Sequence, residues 1–405
     1  LGASLKDAAH VFTQSFKYSA AQYAIRGIAE AFRSGIDWIK DLEKAVNDIA
    51  VVTGKTASQM EKVTANAIKG AKELKVAATE YAEAALIFYQ QGLNDSEVEK
   101  RTEITIKAAK AAGVATEDMS EQLTAIWNTY GMSGEQLANS ASVASKLAAD
   151  TAADFKSISS AMKIAASAAS LMGVEYNQLA SMIATVKETT QQSDEIIGNA
   201  FKTIFSRFDQ LKASGTDGEV TLGLVSSQLK SLGINILDSA GNLKNLGEVI
   251  NTVGDNWNTY SQKQQIAIAE AVGGTRQYAQ FLALMQNFDR YQQNLTTANS
   301  ETGANTLEQQ YGQAMESIEE KANIMSETWK RAFSNLVSED AIKEFYEFFT
   351  KLGEFTENFI SGLRGVKGVI LIVLELLATK IPMALAEIGA KAKDFWNNMF
   401  HNNKF

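Results

Sequence analysis

Apolar residues recur every three or four positions along most of the chain, which is the spacing of one face of an α-helix. The clearest stretch is 199–211, NAFKTIFSRFDQL, in which the apolar positions follow i, i+3, i+4, i+7 and i+10. These positions are Phe201, Ile204, Phe205, Phe208 and Leu211. An aromatic stripe at this spacing is typical of a packed core, so we predict burial rather than a ligand site. The pattern as a whole predicts an all-α fold.

Four short segments share a layout that predicts a corner between two helices. Each has a glycine, an apolar residue, a short polar turn and an apolar residue that opens the next helix. The segments begin at Gly92, Gly113, Gly131 and Gly173. Glycine adopts the left-handed conformation that ends a helix, and the apolar residue packs back on the last turn. The glycines lie 21, 18 and 42 residues apart, so we expect many short antiparallel helices and not a strict solenoid repeat.

Side-chain oxygens near these corners predict helix N-caps. Asp95, Thr116 and Ser133 follow three of the glycines and are predicted to cap the next helix, and Ser261 is predicted to cap a later one. The helices between corners consist largely of alanine and serine, most of all in 140–170. Small residues let helices approach closely but bury little apolar area each. We therefore expect this region to be helical but only modestly stable.

The pattern departs from short helices in three places. Residues 233–244, GINILDSAGNLK, alternate apolar and polar positions around a turn and predict a small β-hairpin. A further corner is predicted at 272–275, VGGT. The polar segment 300–305 predicts a break, after which 306–336 reads as one long amphipathic helix. We divide the chain into an N-terminal helical segment (1–45), a central module (46–299), long amphipathic helices (300–360) and an apolar helical segment (361–405).

The segment 366–390 is the most apolar in the chain, with an unbroken apolar run at 369–374. A spanning helix needs about 20 mostly apolar residues, and here Glu375, Lys380, Pro382 and Glu387 interrupt it. Two interpretations stay open, a membrane-interacting segment and a buried or self-associating helix. The membrane-segment candidates are Val369, Ile370, Ile372, Leu376 and Leu377.

Composition excludes several classes of function. The chain has no cysteine, one proline and two histidines, and its formal net charge is −9. Thiolate chemistry and a Ser–His or Cys–His pair are therefore excluded, and no basic stripe for nucleic acid is present. Carboxylate pairs such as Glu117 with Asp118, or Glu319 with Glu320, have the residue types of a glycosidase. Capping and solvation explain them, so we predict no enzyme activity, no cofactor and no metal.

The order of three segments resembles the core module of phage tail tape measure proteins. The segments are 199–211, with its TIF core, then 232–244 (LGINILDSAGNLK), then 266–284 (IAIAEAVGGTRQYAQFLAL). The glycine helix ends followed by acidic turns at Gly92 and Gly113 also match. The resemblance covers about 46–292. Since the chain begins at Leu1, we expect it to be a piece of a longer protein.

The resemblance implies a structural protein of the virion. Such proteins occupy the lumen of the tail tube, set its length during assembly in the host cytoplasm, and leave ahead of the DNA. Many then help the genome across the host envelope, so the inner membrane is an expected later location. The implied partners are the tail tube protein, tail assembly chaperones and tail tip proteins, together with self-association. An unrelated membrane-active, pore-forming or toxin-like helical protein stays open as the alternative.

Overall fold

The computed structural model describes residues 37–38, 40–208, 212–213, 220–221, 229–231, 233–236, 244–301, 304–317, 323–324 and 327. These residues are mostly helical, as the apolar spacing predicts. Residues 45–322 form one compact unit, and all the elements labelled below lie in it. The membrane-segment candidates of 366–390 lie outside the described residues.

After a helical stretch at 40–53, the unit is a series of helices joined by short loops. They are α1 (Ala57–Glu73), α2 (Ala78–Gln90), α3 (Asp95–Ala112), α4 (Thr116–Thr129), α5 (Glu135–Asp150), α6 (Phe155–Leu171), α7 (Tyr176–Thr190), α8 (Asp194–Phe208), α9 (Leu246–Asp255), α10 (Gln262–Gln286), α11 (Phe288–Ser300) and α12 (Asn305–Ala314). A 3₁₀ turn, Trp257–Thr259, lies between α9 and α10. Two-residue antiparallel strands, β1 (Lys212–Ala213) and β2 (Val220–Thr221), follow α8.

The helices stack in two layers. One layer runs α2, α4, α6, α8 and α10, and each of these helices packs on the next in that order. The other runs α3, α5, α7 and α11 in the same way. Consecutive helices such as α2 and α3, or α6 and α7, pack across the layers. Short loops between contacting neighbours make them antiparallel. The last helix, α12, returns to lie on α3 and α5.

Three of the predicted N-caps are wrong, by one residue in each case. Asn94, not Asp95, is the N-cap of α3, and its side chain accepts from the Glu97 N–H at 3.1 Å. Thr116 is the first residue of α4 and Ser133 precedes the N-cap of α5, whose cap Gly134 has no side chain. A residue that caps through its side chain has extended backbone that directs the side chain at the first turn, as Asn94 does (φ −75°, ψ 163°).

Other local predictions have mixed outcomes. Ser261 is confirmed as the N-cap of α10, in a capping box with Gln264. The predicted corner at 272–275 is a kink within α10, where Gly274 has φ 66° and ψ −178°. The Arg207 guanidinium donates to the Ala271 carbonyl at 3.1 Å beside this kink.

The described part of the predicted hairpin at 233–244 is not a strand. Ile234 and Ile236 are buried, and the Lys244 N–H donates to the Ile236 carbonyl at 2.9 Å. Residues 237–243 lie outside the described residues. In the described part of this segment, the alternation places two isoleucines in the core without strand backbone at 233–236.

The predicted long helix over 306–336 is also wrong. Helix α12 ends at Ala314, and the next residues turn through hydrogen bonds from Glu316 to Gln313 and from Ser317 to Ala314, each 3.2 Å. Met315 is buried at this turn. The polar break predicted at 300–305 lies where α11 ends at Ser300 and α12 begins at Asn305, but α12 packs on the same unit that precedes the break. Among the described helices, none is both long enough and apolar enough to cross a bilayer.

Candidate functional site

The four predicted corner glycines all have positive φ, at 74° for Gly92, 65° for Gly113, 61° for Gly131 and 74° for Gly173. Each follows the end of a helix: α2, α3, α4 and α6. This is the backbone region that favours glycine, because an L-residue places its Cβ too close to the next carbonyl oxygen there.

The corner after α3 shows how the chain is turned. The Gly113 N–H donates to Lys110 O at 3.3 Å, and the Val114 N–H donates to Ala109 O at 3.0 Å. These two bonds form a Schellman motif, which satisfies carbonyls that the helix end leaves unpaired. A Cβ added at Gly113 would meet no atom within 4 Å. The requirement for glycine at this corner is therefore conformational, not steric.

The aromatic stripe of α8 is confirmed as core. Phe201, Ile204 and Phe205 are fully buried, and Phe208 is 6% exposed. The Phe201 and Phe205 rings stack with their centroids 5.8 Å apart. Leu211 lies outside the described residues. These side chains fill the space between α8 and its neighbours α6 and α10.

Helices α6 and α8 cross at a glycine on the same face of α8. A Cβ at Gly198 would lie 2.8 Å from the Ala161 carbonyl oxygen and 2.9 Å from the Ile164 Cβ. The contact therefore needs a residue without a side chain, because neither backbone can retreat without disturbing the stack. Our sequence reasoning missed Gly198, although a glycine three residues before Phe201 on a buried stripe is the signal that could have found it.

Hydroxyl groups lie deep in the stack. The buried members are Thr102, Thr105, Ser120, Ser140, Ser142, Ser145, Ser157, Ser159, Ser181 and Thr185. Several bond within their own helix, as Thr185 does to the Ser181 carbonyl at 2.7 Å. Others join helices: Trp127 Nε1 donates to Ser140 Oγ at 2.9 Å, and the Tyr176 hydroxyl donates to the Ser140 carbonyl at 2.6 Å. Burial raises the pKa of Tyr176, so that phenol stays neutral.

A polar cluster fixes the start of α12. Ser142 Oγ, on α5, donates to Glu301 Oε1 at 2.8 Å and accepts from the Thr306 and Leu307 N–H groups at 3.0 and 3.2 Å. The Thr306 hydroxyl donates to Glu301 Oε2 at 2.8 Å. Partial burial opposes ionisation of Glu301, but the hydrogen bonds from Ser142 and Thr306 outweigh it, so the pKa of this carboxyl is lowered. Sequence gave no sign of this cluster, since its members are 159 residues apart.

Three further polar contacts hold α12 along its length. Lys107 Nζ, on α3, bonds Glu308 at 2.5 Å and Glu103 at 2.7 Å. Gln310 Nε2 donates to the Ser145 carbonyl at 2.9 Å, and the Tyr311 hydroxyl donates to the Leu74 carbonyl. The apolar side of α12 contributes one buried residue, Leu307.

A surface cleft of about 560 Å³ is lined by residues of α4, α6 and α8, among them Asp118, Glu121, Asp194 and Glu195. Lys163 bonds Glu121 at 2.7 Å. Asp118, Asp194 and Glu195 lie in the first turns of α4 and α8, where the helix dipole favours negative charge.

The first of the two carboxylate pairs considered in the sequence, Glu117 with Asp118, lies at the N-terminal end of α4. Glu117 and Asp118 are exposed in the first turn of α4. The second pair, Glu319 and Glu320, lies outside the described residues. Glu117 and Asp118 are helix-end charges in contact with solvent, and Asp118 also lines the open cleft between α4, α6 and α8.

Comparison with known proteins gives one family and one curated relative. The model of the phage-related minor tail protein family matches residues 64–274, which is more than half of the chain. A tape measure protein of Pneumococcus phage Dp-1 is 21% identical over 357 residues. That alignment covers 84% of this chain but 30% of the phage Dp-1 protein, so the chain spans less than a third of this relative's length. No solved structure matches.

Proposed function

The chain belongs to the phage-related minor tail protein family, and we propose that it is part of a tape measure protein that sets the length of the tail tube and leaves the tail on infection. The observation that carries the proposal is the match over most of the chain to a tape measure protein. The proposed location is the tail lumen, with the tail tube protein, assembly chaperones and tail tip proteins as partners.

The helical unit suits a structural role of this kind. Four of its connections are glycine-ended corners, and most contacts within it join helices one or two places apart in the chain, with α11 and α12 returning to earlier helices. A stack of this kind is stabilised by nearest-neighbour contacts and can open progressively. In this proposal the unit 45–322 is folded when free and opens into an extended chain as it is threaded.

The test is tail length in virions that carry altered parent genes. An α-helix advances about 1.5 Å per residue, so removing about 30 residues, for example 331–360, should shorten tails by about 45 Å. The measurement is the tail-length distribution by electron microscopy.

Two controls make this measurement specific. Replacing 331–360 with an unrelated helical sequence of equal length should restore the original length, since a ruler depends on length and not on sequence. Intact virions whose tails keep one length after the deletion would rule out the ruler. Failure of the equal-length replacement to restore the length would show that the residues act by their sequence.

A further inference from the structure

The last described helix of the unit differs from the rest in how it is attached. Helix α12 packs on α3 and α5, and Leu307 is its buried residue, with Met315 buried just after its end. Helix α8, by comparison, buries seven of its fifteen residues, including three phenylalanines. Since burial of apolar area is the main favourable term in packing, α12 is held with much less of it.

Polar contacts make up most of the attachment. Ser142 joins α5 to Glu301 and to the first turn of α12, and Gln310 bonds the Ser145 carbonyl. When α12 detaches, water can form hydrogen bonds to each of these groups. The net free-energy cost of breaking each contact is therefore small. The face of α5 on which α12 packs is also polar, because it includes Ser142 and Ser145, which are both fully buried. When this face is exposed to water, the Ser142 and Ser145 hydroxyls become exposed.

The position of α12 in the chain lets it leave without breaking the layers. Among the described residues of the unit it is the last helix, and the two helices that it contacts, α3 and α5, also pack on each other. Elements with few buried apolar contacts open locally at lower free energy than the core.

We propose that Glu301 and α12, here called the strap, form a releasable closure that detaches from α3 and α5 while the two helical layers remain folded. Release uncovers the faces of α3 and α5 that α12 covers. The proposal that the strap detaches is argued from these contacts alone. Its role as the first step of threading rests on the proposed function.

The test is hydrogen exchange of the full chain, read by mass spectrometry in separate peptides. In the unaltered protein, amides of 305–314 should exchange at least about tenfold faster than those of α6 and α8, because they open locally. Ser142→Ala removes the residue that joins Glu301 to the strap. We expect it to raise exchange of 305–314 by a further factor of about ten, with α6 and α8 changed less than about twofold.

The matched control is Ser145→Ala in the same helix. Ser145 is as buried as Ser142, but within the described residues its hydroxyl has no hydrogen-bond partner, so its removal should leave the strap unchanged. Gln310→Ala removes a contact that the strap itself supplies, and it should also raise exchange of 305–314. It therefore tests the proposal even if the Ser142→Ala protein folds poorly.

Equal protection of 305–314 and α8 would overturn the proposal. Equal effects of the two serine variants, or uniform loss of protection across the unit, would overturn it too. Tail-length measurements test the ruler separately, so either proposal can fail alone.

Discussion

The α6–α8 crossing and the strap lie in the same compact unit but are held together by different means. At the crossing, Gly198 lies against the Ala161 backbone, and the α8 stripe is fully packed. The strap has one buried leucine and a row of hydrogen bonds to α5 and α3. Apolar packing requires close fit and is lost cooperatively, whereas each part-buried hydrogen bond of the strap can be replaced by one to water. The comparison indicates that apolar packing stabilises the interior of the unit, whereas hydrogen bonds and ion pairs hold most of α12 in place.

The largest expected effect contrasts one glycine from each region. Gly198→Ala places a Cβ 2.8 Å from a backbone oxygen, so we expect the free energy of unfolding to fall by about 1–3 kcal/mol. Gly312→Ala is the matched control in α12, where a Cβ meets nothing within 4 Å. There the better helix propensity of alanine should raise stability by about 0.5–1 kcal/mol. Denaturant unfolding measures both variants, and a stable Gly198→Ala protein would show that the crossing is not tight.

An intermediate loss of stability is expected from a substitution at a corner glycine, where the backbone conformation and not the packing requires glycine. Gly113→Val should cost at least about 1–2 kcal/mol, because valine must adopt the left-handed conformation at the α3 corner. No atom lies within 4 Å of the added Cβ, so the Cβ itself meets no steric conflict, unlike that at Gly198. Gly173→Val should cost a similar amount, since its Cβ would meet the Asn245 side chain at 3.4 Å, an ordinary van der Waals contact.

The control for the corner is Gly113→Asn. Asparagine tolerates the left-handed region better than valine does, so its melting temperature should lie between those of the glycine and valine proteins. An unchanged melting temperature in Gly113→Val would contradict the corner interpretation.

The smallest expected effect concerns the strap at low pH. The pKa of Glu301 is lowered from its ordinary value of 4.5, so its carboxylate stabilises the strap fully above that value. The contribution is lost as the pH falls below 4.5 and through the lowered pKa. Exchange of 305–314, corrected for intrinsic rates, should then rise by about twofold to fivefold, a modest factor because Glu301 is only partly buried.

Glu301→Gln is the variant that isolates this carboxyl from its charged neighbours. Lys146 acts on Glu301 by charge, and Glu308 on the strap pairs with Lys107. Those groups are present in both proteins, so the difference between the two pH profiles belongs to Glu301. Identical profiles would show that the carboxylate does not hold the strap.

Much of the helical organisation was predictable from local pattern. The all-α class follows from apolar spacing, and the burial of Phe201, Ile204 and Phe205 follows from the same spacing. The cap at Ser261 has a local signal, a serine followed three residues later by glutamine. Such features depend on a few neighbouring residues, so a sequence window contains all the information that they need.

The errors arose where backbone or tertiary context decides. The predicted caps at Asp95, Thr116 and Ser133 are each one residue away from the observed N-caps, Asn94, Ala115 and Gly134, and of these three only Asn94 caps through its side chain. The hairpin at 233–244 was inferred from alternation, but Ile234 and Ile236 are buried in irregular backbone. The helix predicted over 306–336 ends at Ala314, where the chain turns at the buried Met315.

The sequence by itself determined the helices, the glycines at their ends and the apolar face of α8, because these depend on interactions within a few residues. Only the tertiary structure decided that the helices form two layers, that Gly198 lies on Ala161, and that Ser142 holds Glu301. Helix faces of similar alanine and serine content leave the choice of partner open at the sequence level. Close approach and hydrogen bonding across 159 residues make that choice, and neither is visible in a local window.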